Sequence, residues 1–260
     1  EGSVTFEVTV NGVDYKKIER GFHYYKQPVI EDVEPLTGPV SGGSILTIYG
    51  EPFRSDYDLA NVTCSVGGFI SQATIKDQHT IQCYTPKMQK PTNGTELRVS
   101  IAMNGQDYTK NNHTYSVYGL VDSAPKGGPI EGGTEVMIKG FGFKDSEPRC
   151  LFGIENNNLI VPGQIVDDTH MICVSPQHFK VPKGAKLPLD VPLEIGFGEA
   201  KFHPWTKTDN KFRFYQNPKV LSVYPKSGMV DQKNEVTITA DPKQPFYPAI
   251  TGWKSSGELD

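Results

Sequence analysis

Residues 35–50 read PLTGPVSGGSILTIYG and decide the fold of this chain. The same pattern returns as PKGGPIEGGTEVMIKG at residues 125–140 and, weakened, as PKSGMVDQKNEVTITA at residues 225–240. The copies begin at positions 35, 125 and 225, so the spacing is 90 and then 100 residues. A similar segment at such intervals indicates one module repeated along the chain.

Each copy predicts a tight turn followed by a β-strand. Proline fixes φ and glycine tolerates positive φ, so the first half of each segment has the composition of turns. Apolar residues then alternate with other residues, and this period of two is typical of a strand with one buried side. The residues predicted to face inward are Leu46, Ile48, Val136, Ile138, Val236 and Ile238.

The ends of the repeats share a second pattern, in which alternating apolar residues precede an Asn-Gly turn. It occurs over residues 4–12 and again over residues 97–105. We therefore predict the C-terminal strands of a preceding repeat over 1–28 and two whole domains over 29–118 and 119–217. We predict that residues 218–260 form the N-terminal part of a further repeat. Linkers of only a few residues separate the repeats.

One long alternating run in the second domain contains prolines. Leu189, Val191 and Leu193 share one parity, whereas Pro188 and Pro192 lie on the other. Proline cannot donate to a β-ladder, so the sequence predicts that this strand lies at a sheet edge or carries a bulge.

The composition fits a soluble protein rich in turns. The 260 residues include 26 glycines and 20 prolines, with 37% hydrophobic and 22% charged residues. The net charge of −4 and the pI of about 5.9 argue against a nucleic-acid partner, which usually needs a basic face. No apolar run approaches the ~18 residues of a membrane span, so we expect membrane attachment only through segments outside this chain.

Each predicted domain contains two cysteines. Cys64 and Cys83 belong to the first, and Cys150 and Cys173 to the second. One pair per module, with Cys83 and Cys173 each three residues before a proline, predicts one internal disulfide per domain. Four buried free thiols are the alternative.

Three acceptor tripeptides for N-linked glycans begin at Asn61, Asn93 and Asn112. All three lie in the first domain, next to predicted turns or strands, where a glycan can point to solvent. Together with the cysteine pairs, they predict an extracellular or cell-surface location.

The opening segments at 35–53 and 125–143, with the Cys-x-x-Pro segments at 83–86 and 173–176, resemble the IPT/TIG domain. This immunoglobulin-like module occurs in plexins, scatter-factor receptors and fibrocystin-like proteins, and in Rel-type transcription factors. The resemblance implies an all-β fold, with tandem sandwiches of two antiparallel sheets arranged end to end, as the period-two strands also suggest. The third copy departs from it, since residues 231–234 replace the Gly-Gly turn and Ala240 replaces the last glycine.

No residues are predicted to be catalytic, to bind a cofactor or to bind a metal. The six histidines are dispersed, and the Gly-Gly pairs precede strands rather than the helices that form phosphate cradles. Loop aspartates at 56–58 and 167–168 are too few to specify a calcium site and are more typical of turns.

We therefore predict a non-enzymatic extracellular protein that acts in adhesion, in recognition or as a structural filament subunit. Its expected partners are other protein chains, including homotypic or head-to-tail copies, and N-linked glycans. Phe246, Tyr247 and Trp253 are candidates for a partner contact if they are exposed. The alternatives are an intracellular Rel-like DNA-binding or dimerisation module and an accessory β module of a carbohydrate-active enzyme.

Overall fold

The computed structural model describes residues 2–53, 61–89, 95–144, 147–154, 157–177, 179–198, 205–230 and 233–246. All regular elements within these ranges are β-strands. The chain forms two compact units, Glu1–Val117 with Lys201–Pro204 and Tyr118–Ala200 with Trp205–Asp260. In the described ranges, no helix is long and apolar enough to cross a membrane.

The first unit contains a two-stranded hairpin and a β-sandwich. Its strands are β1 (Gly2–Val8), β2 (Lys16–Tyr24), β3 (Val29–Glu34), β4 (Thr37–Pro39), β5 (Ile45–Glu51), β6 (Thr63–Val66), β7 (Phe69–Asp77), β8 (Thr80–Tyr84), β9 (Glu96–Ala102) and the start of β10 (Thr114–Ala124). One sheet has the order β3-β5-β8-β7, and the other has the order β7-β6-β9-β10-β4. Strand β7 changes sheet midway, so it borders both layers.

The second unit repeats this topology. Its strands are the end of β10, β11 (Gly127–Pro129), β12 (Glu135–Phe141), β13 (Arg149–Ile154), β14 (Asn157–Ile165), β15 (His170–Val174), β16 (Leu189–Gly196), β17 (Lys211–Tyr215), β18 (Val220–Tyr224) and β19 (Thr237–Ala240). The two sandwich sheets have the orders β10-β12-β15-β14 and β14-β13-β16-β17-β11. The all-β sandwich fold is therefore confirmed.

Each sandwich has its own apolar core. The inward positions predicted for the first two copies are correct, because Leu46, Ile48, Val136 and Ile138 are all fully buried. Buried residues of the facing sheets complete the two cores, in the first unit Val99, Ile101, Tyr115 and Val117, and in the second Leu193, Ile195, Phe212 and Phe214.

The Gly-Gly turn is held by the segment that follows β8. Gly42 and Gly43 have φ of 74° and 88°, and the Gly43 N–H donates to the Thr85 carbonyl at 2.8 Å. The Thr85 hydroxyl accepts a hydrogen bond from the buried Ser44 N–H at 3.0 Å. A Cβ at Gly42 would lie 2.5 Å from the Pro86 carbonyl oxygen, so the turn requires glycine for space as well as for φ.

The second domain repeats this arrangement. The Gly133 N–H donates to the Ser175 carbonyl, and the Ser175 hydroxyl accepts from the Thr134 N–H at 3.0 Å. The hydroxyl residue before the proline in each Cys-x-x-Pro segment is thus an acceptor for the turn of its own domain.

The first glycine of the opening segment makes room for an aromatic ring. A Cβ at Gly38 would overlap the Tyr115 hydroxyl and lie 2.6 Å from the Ser44 Oγ. The Tyr115 hydroxyl donates to that Oγ at 3.0 Å, and burial raises the pKa of Tyr115 to about 12. Gly128 of the second domain takes the same place, with its Cβ position 3.0 Å from the Phe212 ring.

One disulfide joins the two sheets of each sandwich. Cys64 of β6 is bonded to Cys83 of β8, and Cys150 of β13 is bonded to Cys173 of β15. The described cysteines include no free thiol. In each domain, the two bonded strands flank the strand that changes sheet, β7 or β14, so the bond closes the sandwich at that edge.

The proline-containing strand β16 is not at an edge, and that prediction is wrong. It lies between β13 and β17, but the two pairings occupy different halves of the strand. Leu193 to Gly196 pair with β13, whereas Leu189 to Pro192 pair with β17. Pro192 lies where the β13 ladder has already ended, so its missing N–H removes no bond on that side.

Two hairpins lie outside the sandwiches. The turn between β1 and β2 has the geometry of the turn after β9: Asn11 and Asn104 each accept two backbone N–H groups and donate to an aspartate three residues later. Among the described strands, β18 and β19 of the third copy pair only with each other. Val236 and Ile238 are 47% and 49% exposed, so their predicted inward position is not observed in the described residues.

Candidate functional site

The outward side of the β3-β5-β8 sheet of the first domain carries exposed aromatic and apolar side chains. We call it the tyrosine face and define it by Asp32, Glu34, Ile45, Thr47, Tyr49, Gln82 and Tyr84. Tyr84 is 63% exposed, Ile45 is 47% exposed and Tyr49 is 36% exposed. Tyrosine contributes a large, rigid contact area with a polar end, and it is enriched in protein interfaces.

The strand register brings these side chains together. Ile45 lies directly opposite Tyr84, and Tyr49 lies opposite Asp32. Since opposite residues of an antiparallel pair point to the same side of the sheet, all of them face outward when Leu46 and Ile48 face the core. In the middle of the face, the Gln82 amide donates to the Thr47 hydroxyl at 3.2 Å.

The three strands that carry the tyrosine face are acidic. The sequences of β3, β5 and β8 contain Glu31, Asp32, Glu34 and Glu51 but no lysine or arginine. The Tyr49 hydroxyl donates to Glu34 across a long contact of 3.5 Å. Partial burial raises the pKa of the Tyr49 phenol, and the negative charges of Glu34 and Asp32 raise it further, so this hydroxyl stays a neutral donor.

The corresponding face of the second domain has different chemistry. There Glu135 lies opposite Val174, and Lys139 lies opposite His170. The tyrosine positions of the first domain, 49 and 84, correspond to Lys139 and Val174. Because the same fold forms with either set, the tyrosines are not required by the fold, and this difference supports a contact role for the first face.

The predicted glycan acceptors differ in what the structure describes. Asn61 and Asn112 are exposed, the first just before β6 and the second just before β10. Asn93 lies outside the described residues. The four cysteines are the core disulfides of the two sandwiches.

The predicted aromatic contact is only partly described. Phe246 is 49% exposed, whereas Tyr247 and Trp253 lie outside the described residues. Sequence reasoning did not select Ile45, Tyr49 or Tyr84. The sequence nevertheless contained an indication of this surface. Large apolar and aromatic residues occupy positions of a predicted strand whose side chains should point to solvent.

The part of the chain that the structure describes brings no three potential ligands from His, Cys, Asp and Glu together at a metal-binding distance. Asp167 instead forms a turn, accepting hydrogen bonds from the Thr169 N–H and hydroxyl, both at 2.7 Å. These bonds, with His170 nearby, lower the pKa of Asp167 to about 2. The aspartates at 56–58 lie outside the described residues.

The chain has two sandwiches of this strand order, each with one internal disulfide. This arrangement defines an immunoglobulin-like class of β domain. The family model for the IPT/TIG domain matches residues 28–117 and 121–203. The chain therefore belongs to the IPT/TIG domain family, as its motifs indicated, and the matching model indicates no enzyme family.

Curated relatives include plexins and fibrocystin-like proteins. The chain is 26% identical to Plexin-A3 of Homo sapiens over 251 residues, which cover 92% of this chain and 13% of that protein. It is 22% identical to Plexin-2 of Caenorhabditis elegans over 201 residues, or 76% of this chain and 10% of that protein. Fibrocystin-L of Homo sapiens is 28% identical over 159 residues, or 59% of this chain and 4% of that protein. The chain thus spans a small part of each relative's length.

Among solved structures, the full extracellular region of Plexin A4 is similar to this chain. The match has 15% sequence identity and a TM-score of 0.41, and it covers 88% of this chain and 22% of that chain.

Proposed function

We propose that this chain is a non-enzymatic, extracellular recognition segment of a plexin-like cell-surface glycoprotein. The family match, the plexin relatives and one disulfide per domain support the extracellular location. The acidic composition and the disulfides count against an intracellular Rel-like module.

The observation that carries a recognition role is the tyrosine face. Tyr84, Ile45 and Tyr49 supply exposed contact area, and the carboxylates of the same sheet supply negative charge. A complementary partner is a protein surface with aromatic or apolar contacts surrounded by lysine and arginine. Charge of this kind speeds association and orients the partner, whereas Tyr49 and Tyr84, which the partner would cover, would supply most of the affinity.

The test is cell staining with the full 260-residue chain fused to a dimeric Fc domain. Tyr84→Ala should weaken staining at least about tenfold, as expected for an interface residue worth about 1.4 kcal/mol or more. Glu34→Lys should also weaken it and reduce its dependence on salt. Val174→Ala, at the position of the second domain that corresponds to Tyr84, is the matched control and should leave staining unchanged.

Equal staining by Tyr84→Ala and the control would refute a role for the tyrosine face. Absence of staining on every cell type of a broad panel would refute a recognition role for this segment. Homotypic or filament assembly makes a different prediction, namely sedimentation of the unfused chain as growing oligomers when its concentration is raised. That outcome would replace the basic partner by a second copy of the chain.

A further inference from the structure

Asn61 lies at the outward side of the β6-β9-β10 sheet. It is exposed, whereas the next residue, Val62, is buried in the core. Its neighbour across the turn is Gly105, where a Cβ would lie 3.3 Å from the Asn61 Cβ. The hydroxyl of Thr63, the third residue of the acceptor tripeptide, shares a hydrogen bond of 3.0 Å with the Tyr108 hydroxyl.

Asn112 is exposed beside two anchored neighbours. The Asn111 side-chain oxygen accepts from the His113 N–H at 2.9 Å. The His113 Nε2 lies 3.0 Å from the Ile30 carbonyl oxygen, which can only accept, so His113 donates from that nitrogen. These contacts direct the flanking side chains into the domain, and Asn112 and Thr114 remain exposed.

We propose that Asn61 and Asn112 both carry N-linked glycans. Their placement beside β6 and β10 puts the sugars on the sheet opposite the tyrosine face, and β3, β5, β7 and β8 contain no asparagine. Glycans would then cover one side of the first domain and leave the other side free for a protein. The inference shares its extracellular location with the proposed function, but it does not depend on the tyrosine face.

The modification requires a polyprenyl-diphosphate-linked oligosaccharide as the co-reactant. A bond forms between the asparagine Nδ2 and the anomeric carbon of the first sugar, and the bond from that carbon to the diphosphate breaks. The amide loses one proton, and the lipid diphosphate leaves.

The test is secretion of the chain from eukaryotic cells, followed by intact mass and peptide mapping after enzymatic deglycosylation. Release of a glycan converts its asparagine to aspartate, so each occupied position is identified by its peptide. We expect occupancy at both Asn61 and Asn112. Asn61→Gln and Thr114→Ala should each remove one glycan, whereas Thr114→Ser keeps the hydroxyl and is the matched control for position 112.

Secreted protein with both disulfides formed but with unmodified peptides at Asn61 and Asn112 would overturn the inference. A glycan at Asn93 alone would overturn it as well. Correctly formed disulfides would show that missing glycans are not the result of misfolding. If a variant is not secreted, occupancy at its position is taken from the peptide map of the unsubstituted chain. Occupied glycans together with unchanged staining by Tyr84→Ala would overturn the tyrosine face and leave this inference standing.

Discussion

Gly38→Ala is the substitution that tests most directly how the opening segment determines the fold. The added methyl group would overlap the Tyr115 hydroxyl and lie 2.9 Å from the ring carbon that bears it. Tyr115 is fully buried and cannot move outward without opening the core. The side chain must therefore shift within a packed interior and lose its hydrogen bond to Ser44.

The expected cost follows from these two effects. Overpacking a core costs about 1–3 kcal/mol. Loss of a buried hydrogen bond adds about 0.5–1.5 kcal/mol. Gly38→Ala should therefore destabilise the first domain by about 1.5–4.5 kcal/mol. Tyr115→Phe alone should lower the free energy of unfolding by about 1 kcal/mol. In the double variant it removes the hydroxyl that overlaps the new methyl group, so the two substitutions together should cost at least about 1 kcal/mol less than the sum of their separate costs.

The assay is urea unfolding of the full chain, with each domain followed separately. Trp205 belongs to the second unit, so in a Trp253→Phe background its fluorescence provides an internal control that should not change. Native-state hydrogen exchange of β5 and β10 amides reports the free energy of unfolding of the first domain.

Gly43→Ala is the matched control, because no atom of the described residues lies within 4 Å of its Cβ position and its cost comes from a φ of 88°. That variant should lose about 1–2 kcal/mol, with no rescue by Tyr115→Phe. The contrary result is a double variant that loses as much stability as the two single variants together, to within about 0.5 kcal/mol. That result would show that contact with Tyr115 is not the reason for glycine at position 38.

Two further predictions concern single hydrogen-bonded groups. Thr85→Val should destabilise the first domain by about 1–3 kcal/mol, because the buried Ser44 N–H loses its acceptor, whereas Thr85→Ser should be nearly neutral in the same unfolding assay. Asp167 has a folded pKa of about 2 against an ordinary 3.8, so its contribution to stability is complete above pH 3.8 and is lost as the pH falls toward 2. An NMR titration should show this pKa, and Thr169→Val should raise it; an unchanged pKa would contradict the assigned cause.

Much of the fold could be predicted because local chemistry and burial agree. The Gly-Gly turn and the alternation around Leu46 and Ile48 point to the same strand, and the structure has it there. The Asn-Gly pattern likewise predicted the turn after β1, where Asn11 accepts two backbone N–H groups.

Other features depend on what lies beside a strand, which periodicity does not encode. Val236 and Ile238 have the same alternation as Leu46 and Ile48, but no second sheet covers them within the described residues. For β16, the prolines indicated a gap in hydrogen bonding correctly. The sequence did not show that the gap lies between two staggered partners rather than at an edge.

The candidate site was the least predictable feature, for a physical reason. Inward residues of the two domains must fill similar spaces, so the copies preserve the core pattern and reveal it by repetition. Outward residues are constrained only by contact with solvent and with partners. The first domain can therefore have Tyr49 and Tyr84 at the positions where the second domain has Lys139 and Val174. In a repeat protein, the fold is therefore found where copies agree, and a contact surface is best sought where they differ. The difference between these two faces is what makes the tyrosine face, rather than its counterpart, the surface to substitute first.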